Sequence, residues 1–397
     1  MKFMGDMQSK NEIECVTNIL KVASQHGKMA DEAYCQIIRQ VTDNSSVKRE
    51  SCERGWRLLS ILCTFCCCSD VLHPYVQAYI QQAVSNAFGT SLKDAIKEAE
   101  EQLKITLHHG ARRNIPMSEL KALLAGHKGR EQTFILPATL EMPFTISTRT
   151  MAGDVIAEMC SRLGLTGKRA HEEYSILSIV GDFSLKQPIQ HDDYMMDIIS
   201  DYTSSGHVFK LWIKRVIWFE PLTARNSNAS LNMHYHQVSR DFMRGNLLCI
   251  PRGKTPPSTL QLATKLAVLQ YISAGENTPP SIEDLEEMLP ERVLALQTRP
   301  VWLTAVEAQW KALCDDEPSN AQEKFIDLLS QMPNFGCTFC EVQAVHPPSV
   351  ITPCIVAVGL NGLHFLNNET RGLELCHILL RLLQFTTPGL DIISNVN

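Results

Sequence analysis

Over its first third the chain repeats apolar residues at helical spacing. Tyr34, Ile37, Ile38 and Val41 stand at i, i+3, i+4 and i+7, the stripe of a helix with one buried face. Trp56, Leu59, Leu62, Cys63 and Cys66 form a second stripe, and Leu72, Tyr75, Val76, Tyr79 and Ile80 a third. Leu92 to Leu107 predicts a further helix rich in Lys and Glu. Pro116 opens a short one, in the first turn, where its missing N–H is tolerated. Gly126 to Arg130 reads as a linker, so the chain is expected to be helical up to about Lys128.

The period then changes. Leu140, Met142, Phe144 and Ile146 alternate with Glu141, Pro143, Thr145 and Ser147, the two-residue repeat of a half-buried strand. Thr133 to Leu136 offers it a partner. Thr150 is placed to cap a helix whose inner face is Val155, Ile156, Met159, Cys160 and Leu163, closed by Gly164. Ile176 to Val180 and the alternating Phe209, Leu211 and Ile213 predict further strands. Two strands, a helix and then more strands is the order of a ubiquitin-like grasp fold.

Helical spacing returns from Leu231. Leu262, Ala263, Leu266 and Leu269 make one stripe, and Trp302, Val306 and Trp310 another. Ser319-Asn320-Ala321-Gln322 reads as a capping box ahead of Phe325, Leu328, Leu329 and Met332. Strands resume at Cys337. Cys354 to Leu360 and Leu363 to Leu366 flank Asn361-Gly362, a pair suited to the two positive φ angles of a type I′ hairpin turn.

Composition narrows the functional classes. With 397 residues the chain can hold several cores, and a net charge of −6 gives no global attraction to nucleic acid or anionic membrane. No apolar run reaches the ~18–20 residues that span a bilayer. The first residues lack a hydrophobic signal core, so a soluble cytoplasmic protein is expected. The 14 cysteines are scattered, several on apolar stripes, and read as small buried hydrophobes. Cys63/Cys66 and Cys337/Cys340 have the spacing of metal ligands but no second half to the ligand set.

Catalytic motifs fail on their mechanics. Gly253-Lys254-Thr255 resembles the end of a phosphate loop, but Leu248 stands where the first glycine is needed and Pro256-Pro257 obstruct the helix that must come next. The pairs His108/His109 and His234/His236, and the run His171-Glu172-Glu173, lack a zinc-protease frame. Asp192-Asp193 and the Glu283 to Glu287 carboxylates read as solvated loop or helix starts. No catalytic, cofactor-binding or metal residue is nominated. One charge feature could contact a partner: Lys104, Arg112, Arg113, Lys128 and Arg130, with His108 and His109, gather positive charge near the end of the helical module and could meet an acidic surface.

Phe3-Met4-Gly5-Asp6, the run Ala33 to Gln40 (with Tyr34, Arg39 and Gln40) and Arg54-Gly55-Trp56 resemble the myosin tail homology 4 domain. The remainder of the chain resembles a FERM domain. Met233 to Val238, with Tyr235 and Gln237, and Ala263 to Tyr271 lie in its helical lobe. Asn334 to Cys340, with Gly336, and the Asn361-Gly362 hairpin open its pleckstrin-homology-like lobe. The tandem is similar to unconventional myosin tails of class XV or class VII, and to class X, some motor-less scaffold proteins and a plant kinesin group. There are departures: Cys66 and Cys68-Ser69 stand where relatives carry an aromatic and a Pro-Ser pair, and Cys337 and Cys340 replace a Ser and a Phe.

The resemblance implies a multidomain α+β fold, a helical bundle followed by a three-lobed FERM. The expected boundaries are 1–128 for the myosin tail homology 4 domain, clipped at its front, 129–220 for the ubiquitin-like lobe, 221–335 for the helical lobe, and 336–397 for a pleckstrin-homology-like lobe that is incomplete. It also implies a non-catalytic cargo-binding tail without cofactors, cytoplasmic and cytoskeleton-associated, in actin-rich protrusions. Implied partners are receptor cytoplasmic tails or scaffold proteins, microtubules, and actin indirectly through a motor domain outside these residues. A motor-less cytoskeleton-to-membrane scaffold is the alternative.

Overall fold

A computed structural model describes the chain apart from residues 9–10, 26, 49, 88–89, 114–115, 128, 168, 181–184, 220–227, 249, 251–254, 346–351, 369–372, 378–391 and 394–397. Two compact units emerge, the first made of residues 1–132, 143–154 and 190–208, the second of 133–142, 155–189 and 209–397.

The first unit is built on α1 (Glu12–Gln25), α2 (Gly27–Val41), α3 (Ser51–Phe65), α4 (His73–Asn86), α5 (Thr90–His109) and α6 (Met117–Leu124). On α3 the buried residues cover most of the helix, from Gly55 and Trp56 through Leu58, Leu59, Ile61, Leu62, Cys63 and Phe65, leaving a polar strip of Glu53, Arg57 and Ser60. A helix with so wide an apolar face belongs near the centre of a bundle. At Gly55 an added Cβ would lie 2.4 Å from Val41 Cγ1 and 2.9 Å from Met4 Cε, so glycine sets how closely α2, α3 and the amino-terminal segment approach. Trp56 stacks on Tyr79 with ring centroids 5.7 Å apart and planes 8° from parallel, locking α3 to α4. The Tyr34 hydroxyl donates to the Cys66 carbonyl at 2.8 Å, tying α2 to the end of α3.

Two details of the helical reading are corrected. Cys66 is not on the α3 stripe: it is the extended C-cap residue, buried because Tyr34 holds its carbonyl. On α4 only Val76 and Ile80 are fully buried, while Tyr75 is 72% exposed.

The five-stranded sheet has the order β2-β1-β5-β3-β4, from β1 (Arg130–Leu136), β2 (Leu140–Ile146), β3 (Tyr174–Val180), β4 (Leu185–Ile189) and β5 (Phe209–Arg215). β1 runs parallel to β5, and β3 antiparallel to both β4 and β5, with Ile176 opposite Ile213. Val155, Ile156, Met159 and Cys160 of α7 (Ala152–Arg162), with Leu163 just after it, are buried as the stripe required, and Gly164 follows at φ +69°. Thr150 does not cap α7. Its hydroxyl oxygen accepts from the Ser147 N–H at 2.9 Å, while the Asp154 carboxylate, inside the first turn, accepts from the Met151 N–H at 2.9 Å. Helix α8 (Met195–Ser204) belongs to the first unit.

The rest of the second unit contains α9 (Asn228–Met243), α10 (Pro257–Ser273), the short α11 (Leu285–Met288) and α12 (Glu291–Leu294), α13 (Arg299–Leu313) and α14 (Pro318–Ser330). Phe325 and Leu329 of α14 pack with Trp302, Phe242 and Leu266 in one core. The Ser319 capping box does not form, because α14 starts one residue earlier, with Pro318 in its first turn and Glu317 as an extended N-cap.

A second sheet has the order β10-β9-β8-β6, from β6 (Thr338–Val342), β8 (Cys354–Gly359), β9 (Gly362–Asn367) and β10 (Leu373–His377). β7 (Ala344–Val345) pairs with β11 (Ile392–Ile393). The β8–β9 hairpin forms, but its turn differs from the expected one. Gly359 faces Gly362, so Leu360 and Asn361 are the two loop residues, and Gly362 alone has positive φ, at +122°. Glycine is thus needed after the loop, to absorb the twist where β9 starts.

Candidate functional site

The positive cluster near the end of the helical module is divided by burial. Arg112 leaves it altogether: its side chain is fully buried and ion-paired to Glu119 and Asp197. Its Nε and one terminal nitrogen donate to Asp197 Oδ1 at 2.9 and 2.8 Å, and that nitrogen also reaches Glu119 Oε2 at 3.0 Å. The guanidinium lies 5.3 Å from the Phe65 ring centroid. The Arg113 N–H donates to the other Asp197 oxygen at 2.9 Å, leaving the Arg113 side chain exposed. A planar fork satisfied by two carboxylates in a dry site is an anchor, and it has no charge left for a partner. Lys104 is exposed but paired with Glu100 one turn away, and Arg130 is exposed with a bond to Gln132. Lys128 lies outside the described residues.

The signature residues turn out to be joints. Phe3 and Met4 are buried in the helical core, and Asp6 accepts hydrogen bonds from Ser46 and Ser51, which hold its carboxyl below the usual range. Arg39 is an exposed cation in the last turn of α2, where it complements the helix dipole, and the Gln40 carbonyl accepts from Asn44 at 2.9 Å.

In the second unit, Tyr235 meets Phe325 edge to face at 5.3 Å. Gln237 treats the end of β5 as a strand would: its Oε1 accepts from the Arg215 N–H at 3.1 Å and its Nε2 donates to the Arg215 carbonyl at 2.7 Å. Gly336, at φ +70°, lies against Trp218, where an added Cβ would come within 2.9 Å of the Trp218 Cβ.

Around this joint lies a buried polar network that no sequence motif announced. Arg215 pairs with Glu173 at 2.7 Å and stacks 4.0 Å from the Trp218 ring. Tyr174 and His234 share a 2.7 Å hydrogen bond, and Trp218 packs on His234. Burial, with Arg215 nearby, pushes the His234 imidazole down to about 3, and burial, mainly, raises the Tyr174 phenol. His234 is therefore neutral at physiological pH and acts as a hydrogen-bonding wedge. Glu173 was visible only as the end of a histidine–glutamate run, and its partner is 42 residues away.

The chemistry-bearing motifs gather no site. Among the described residues no group of His, Cys, Asp or Glu is placed to hold a metal ion. Burial pushes the Cys63 thiol up to about 12 and Cys66, Cys68 and Cys337 up to about 11. Such thiols stay protonated and inert. Cys340, by contrast, is exposed. Gly253 and Lys254 lie outside the described residues. Asp284 receives the Ser281 N–H and hydroxyl, and Glu286 pairs with Arg299. Among the described residues no helix is long and apolar enough to cross a membrane.

Comparison with known proteins identifies both halves of the chain. The family model for the MyTH4 domain matches residues 16–121, and that for the FERM central domain matches residues 223–339. Human unconventional myosin-XV is 35% identical over 376 residues, covering 94% of this chain and 11% of its own length. Human unconventional myosin-XVB is 31% identical over 97% of this chain and 12% of its own length, and Drosophila myosin-VIIa 24% identical over 96% and 18%. The chain thus spans less than a fifth of each of these relatives.

Among solved structures, the human myosin 7b C-terminal MyTH4-FERM domain in complex with the harmonin-a PDZ3 domain superposes with a TM-score of 0.64 at 23% identity, covering 96% of this chain and 78% of that one. A Dictyostelium myosin VII MyTH4-FERM MF1 mutant reaches a TM-score of 0.70 at 16% identity, over 99% and 82%. A helical bundle followed by sheet-and-helix lobes fits both matches, and the chain belongs to the MyTH4–FERM tandems of unconventional myosin tails.

Proposed function

We propose that this tandem is a non-catalytic cargo-binding tail, linking an actin-based motor to scaffold proteins or to the cytoplasmic tails of membrane receptors. The observation that carries the reading is the 35% identity to human unconventional myosin-XV, which runs through both domains. The myosin 7b tandem solved with a harmonin PDZ domain supports scaffold proteins as a partner class. Cytoplasmic, cytoskeleton-associated placement in actin-rich protrusions is inferred from the same kinship. We place the domain limits at 1–128, 129–220, 221–335 and 336–397, with the matched extents 16–121 and 223–339 as support for the first and third. The test is capture of scaffold and receptor tails by the whole chain. Retention of a partner at micromolar concentration supports the reading, and failure with both classes counts against it.

Microtubule contact is a second reading, favoured by the exposed Lys104, Arg113 and Arg130. It predicts co-sedimentation that weakens with salt and is lost on charge reversal at Arg113 and Arg130. Arg112 must be left intact in that experiment, because reversing it would break the buried ion triad.

A further inference from the structure

The first unit contains a groove of about 310 Å³ between the polar face of α3, one face of α5 and the end of α6. Its wall includes the apolar Ile61, Ala95, Leu123 and Leu124. Glu50, Asp94 and Glu98 stand on it without an ion pair among the described residues. Two further carboxylates, Glu12 and Glu53, are neutralised by Arg54 and Arg57. The unpaired charge facing the groove is therefore negative, and Lys93, Lys97 and Lys104 of α5 are not among its lining residues.

A second observation is independent of charge. Gln102 lines the groove with only 2% of its surface exposed. Its amide nitrogen reaches Thr106 Oγ1 only at 3.5 Å, the outer limit of a hydrogen bond, and its amide oxygen accepts none among the described residues. Arg54, on the same wall, pairs with Glu12 through a terminal nitrogen but has a buried Nε with no hydrogen-bond partner among the described residues. Buried polar groups are ordinarily bonded, so the Arg54 Nε, beside the weakly held Gln102 amide, marks a place where a ligand's polar atoms belong. A smaller hollow of about 150 Å³ shares Leu123, His127 and Thr148 with the groove and carries Arg130 on its wall, so the negative charge is confined to the larger groove.

We propose that this groove docks a basic peptide segment of a partner protein, with Lys or Arg against Asp94 and Glu98, an aliphatic side chain on Ala95 and Leu123, and a main-chain or side-chain donor on Gln102. This deepens the cargo-binding reading and rests on it, since it assigns one class of cargo sequence to the MyTH4 half. Charge complementarity selects the occupant: an acidic segment would be repelled, and nucleic acid likewise.

The test uses the whole chain and a panel of fluorescein-labelled peptides in which Lys or Arg flanks Leu or Ile, with matched peptides carrying Glu at each basic position. Anisotropy should show binding of the basic set alone. Asp94→Lys with Glu98→Lys should weaken it at least about tenfold, two attractions having become repulsions. Gln102→Leu should weaken binding several-fold and leave its salt dependence unchanged. Hydrogen exchange should slow in residues 91–106 and 117–127 when peptide is added. Equal binding of acidic and basic peptides, no binding of either, or an unchanged affinity in the double reversal overturns the proposal. Asp94 is exposed and Glu98 half-exposed, so circular dichroism should find the reversed chain folded. If the double reversal leaves the peptide affinity unchanged while the wild-type chain captures scaffold or receptor tails, the groove assignment alone has failed. If the wild-type chain captures none, the cargo-binding reading has failed.

Discussion

Replacing Arg112 by methionine asks whether the MyTH4 bundle is held by a buried charge. The side chain is wholly enclosed, and the two carboxylates it serves, on Glu119 and Asp197, are 4% and 2% exposed. The loss is not the sum of the hydrogen bonds. It is dominated by what remains: two carboxylates out of water with no cation between them. Breaking a buried pair from one side costs about 3–5 kcal/mol, and two stranded anions place the expected loss at the upper end of that range. Because the chain has two compact units, a single melting curve would blur the effect, and local hydrogen exchange is the better assay. Residues 110–124 and 194–204 should lose protection, while the second unit keeps its own. A companion chain with Arg112→Met, Glu119→Gln and Asp197→Asn should recover most of the loss, because no net charge stays buried. An opening free energy within about 1 kcal/mol of wild type in the single variant refutes the reasoning, since it would place these charges in water.

Gly55→Ala should destabilise the bundle by about 1–2 kcal/mol despite alanine's better helix propensity, because the new methyl meets Val41 at 2.4 Å. Local hydrogen exchange over α2 and α3 measures it, and Val41→Ala in the same chain should restore part of the loss. His234, lowered to about 3 from 6.5, binds its proton far more readily unfolded than folded. Its contribution is therefore complete above pH 6.5 and is lost as pH falls toward 3, by up to about 1.4 kcal/mol per pH unit. Urea titrations at pH 7 and pH 5 should show that slope, and His234→Gln should flatten it. Brief alkylation at pH 8 followed by mass spectrometry should label the exposed Cys35, Cys67 and Cys314 and spare the buried Cys63, Cys66 and Cys68.

Helical periodicity located α2 and α3 because burial on a regular helix repeats locally. The hairpin was legible for the same reason, although its turn was displaced by one residue: a dipeptide rule cannot tell whether glycine sits in the loop or just after it. Thr150 and Ser319 were misread as caps because a hydroxyl can bond several nearby main-chain groups, and the choice among them depends on where the preceding chain arrives. Arg112 was counted as surface charge because sequence shows the charge of a residue but not its burial. Its partner Asp197 lies 85 residues on, and nothing local pairs them. The groove was hidden for the same reason, being assembled from α3, α5 and α6. The joints Gln237 and Gly336 were named through the family pattern, and only geometry gave them a task.

The Gln237 amide has a consequence for anyone dividing this chain. Both of its bonds go to the main chain of Arg215, so the contact is indifferent to the side chain at 215 and survives substitution there. It does not survive a cut. A fragment ending at residue 220 keeps every strand of its sheet, yet its last strand ends with a bare N–H and C=O, open to whatever chain edge drifts past. The lobes of the second unit are thus separable on a sequence diagram but joined by two hydrogen bonds from one side-chain amide to β5, and fragments intended for binding studies should keep α9 with β5.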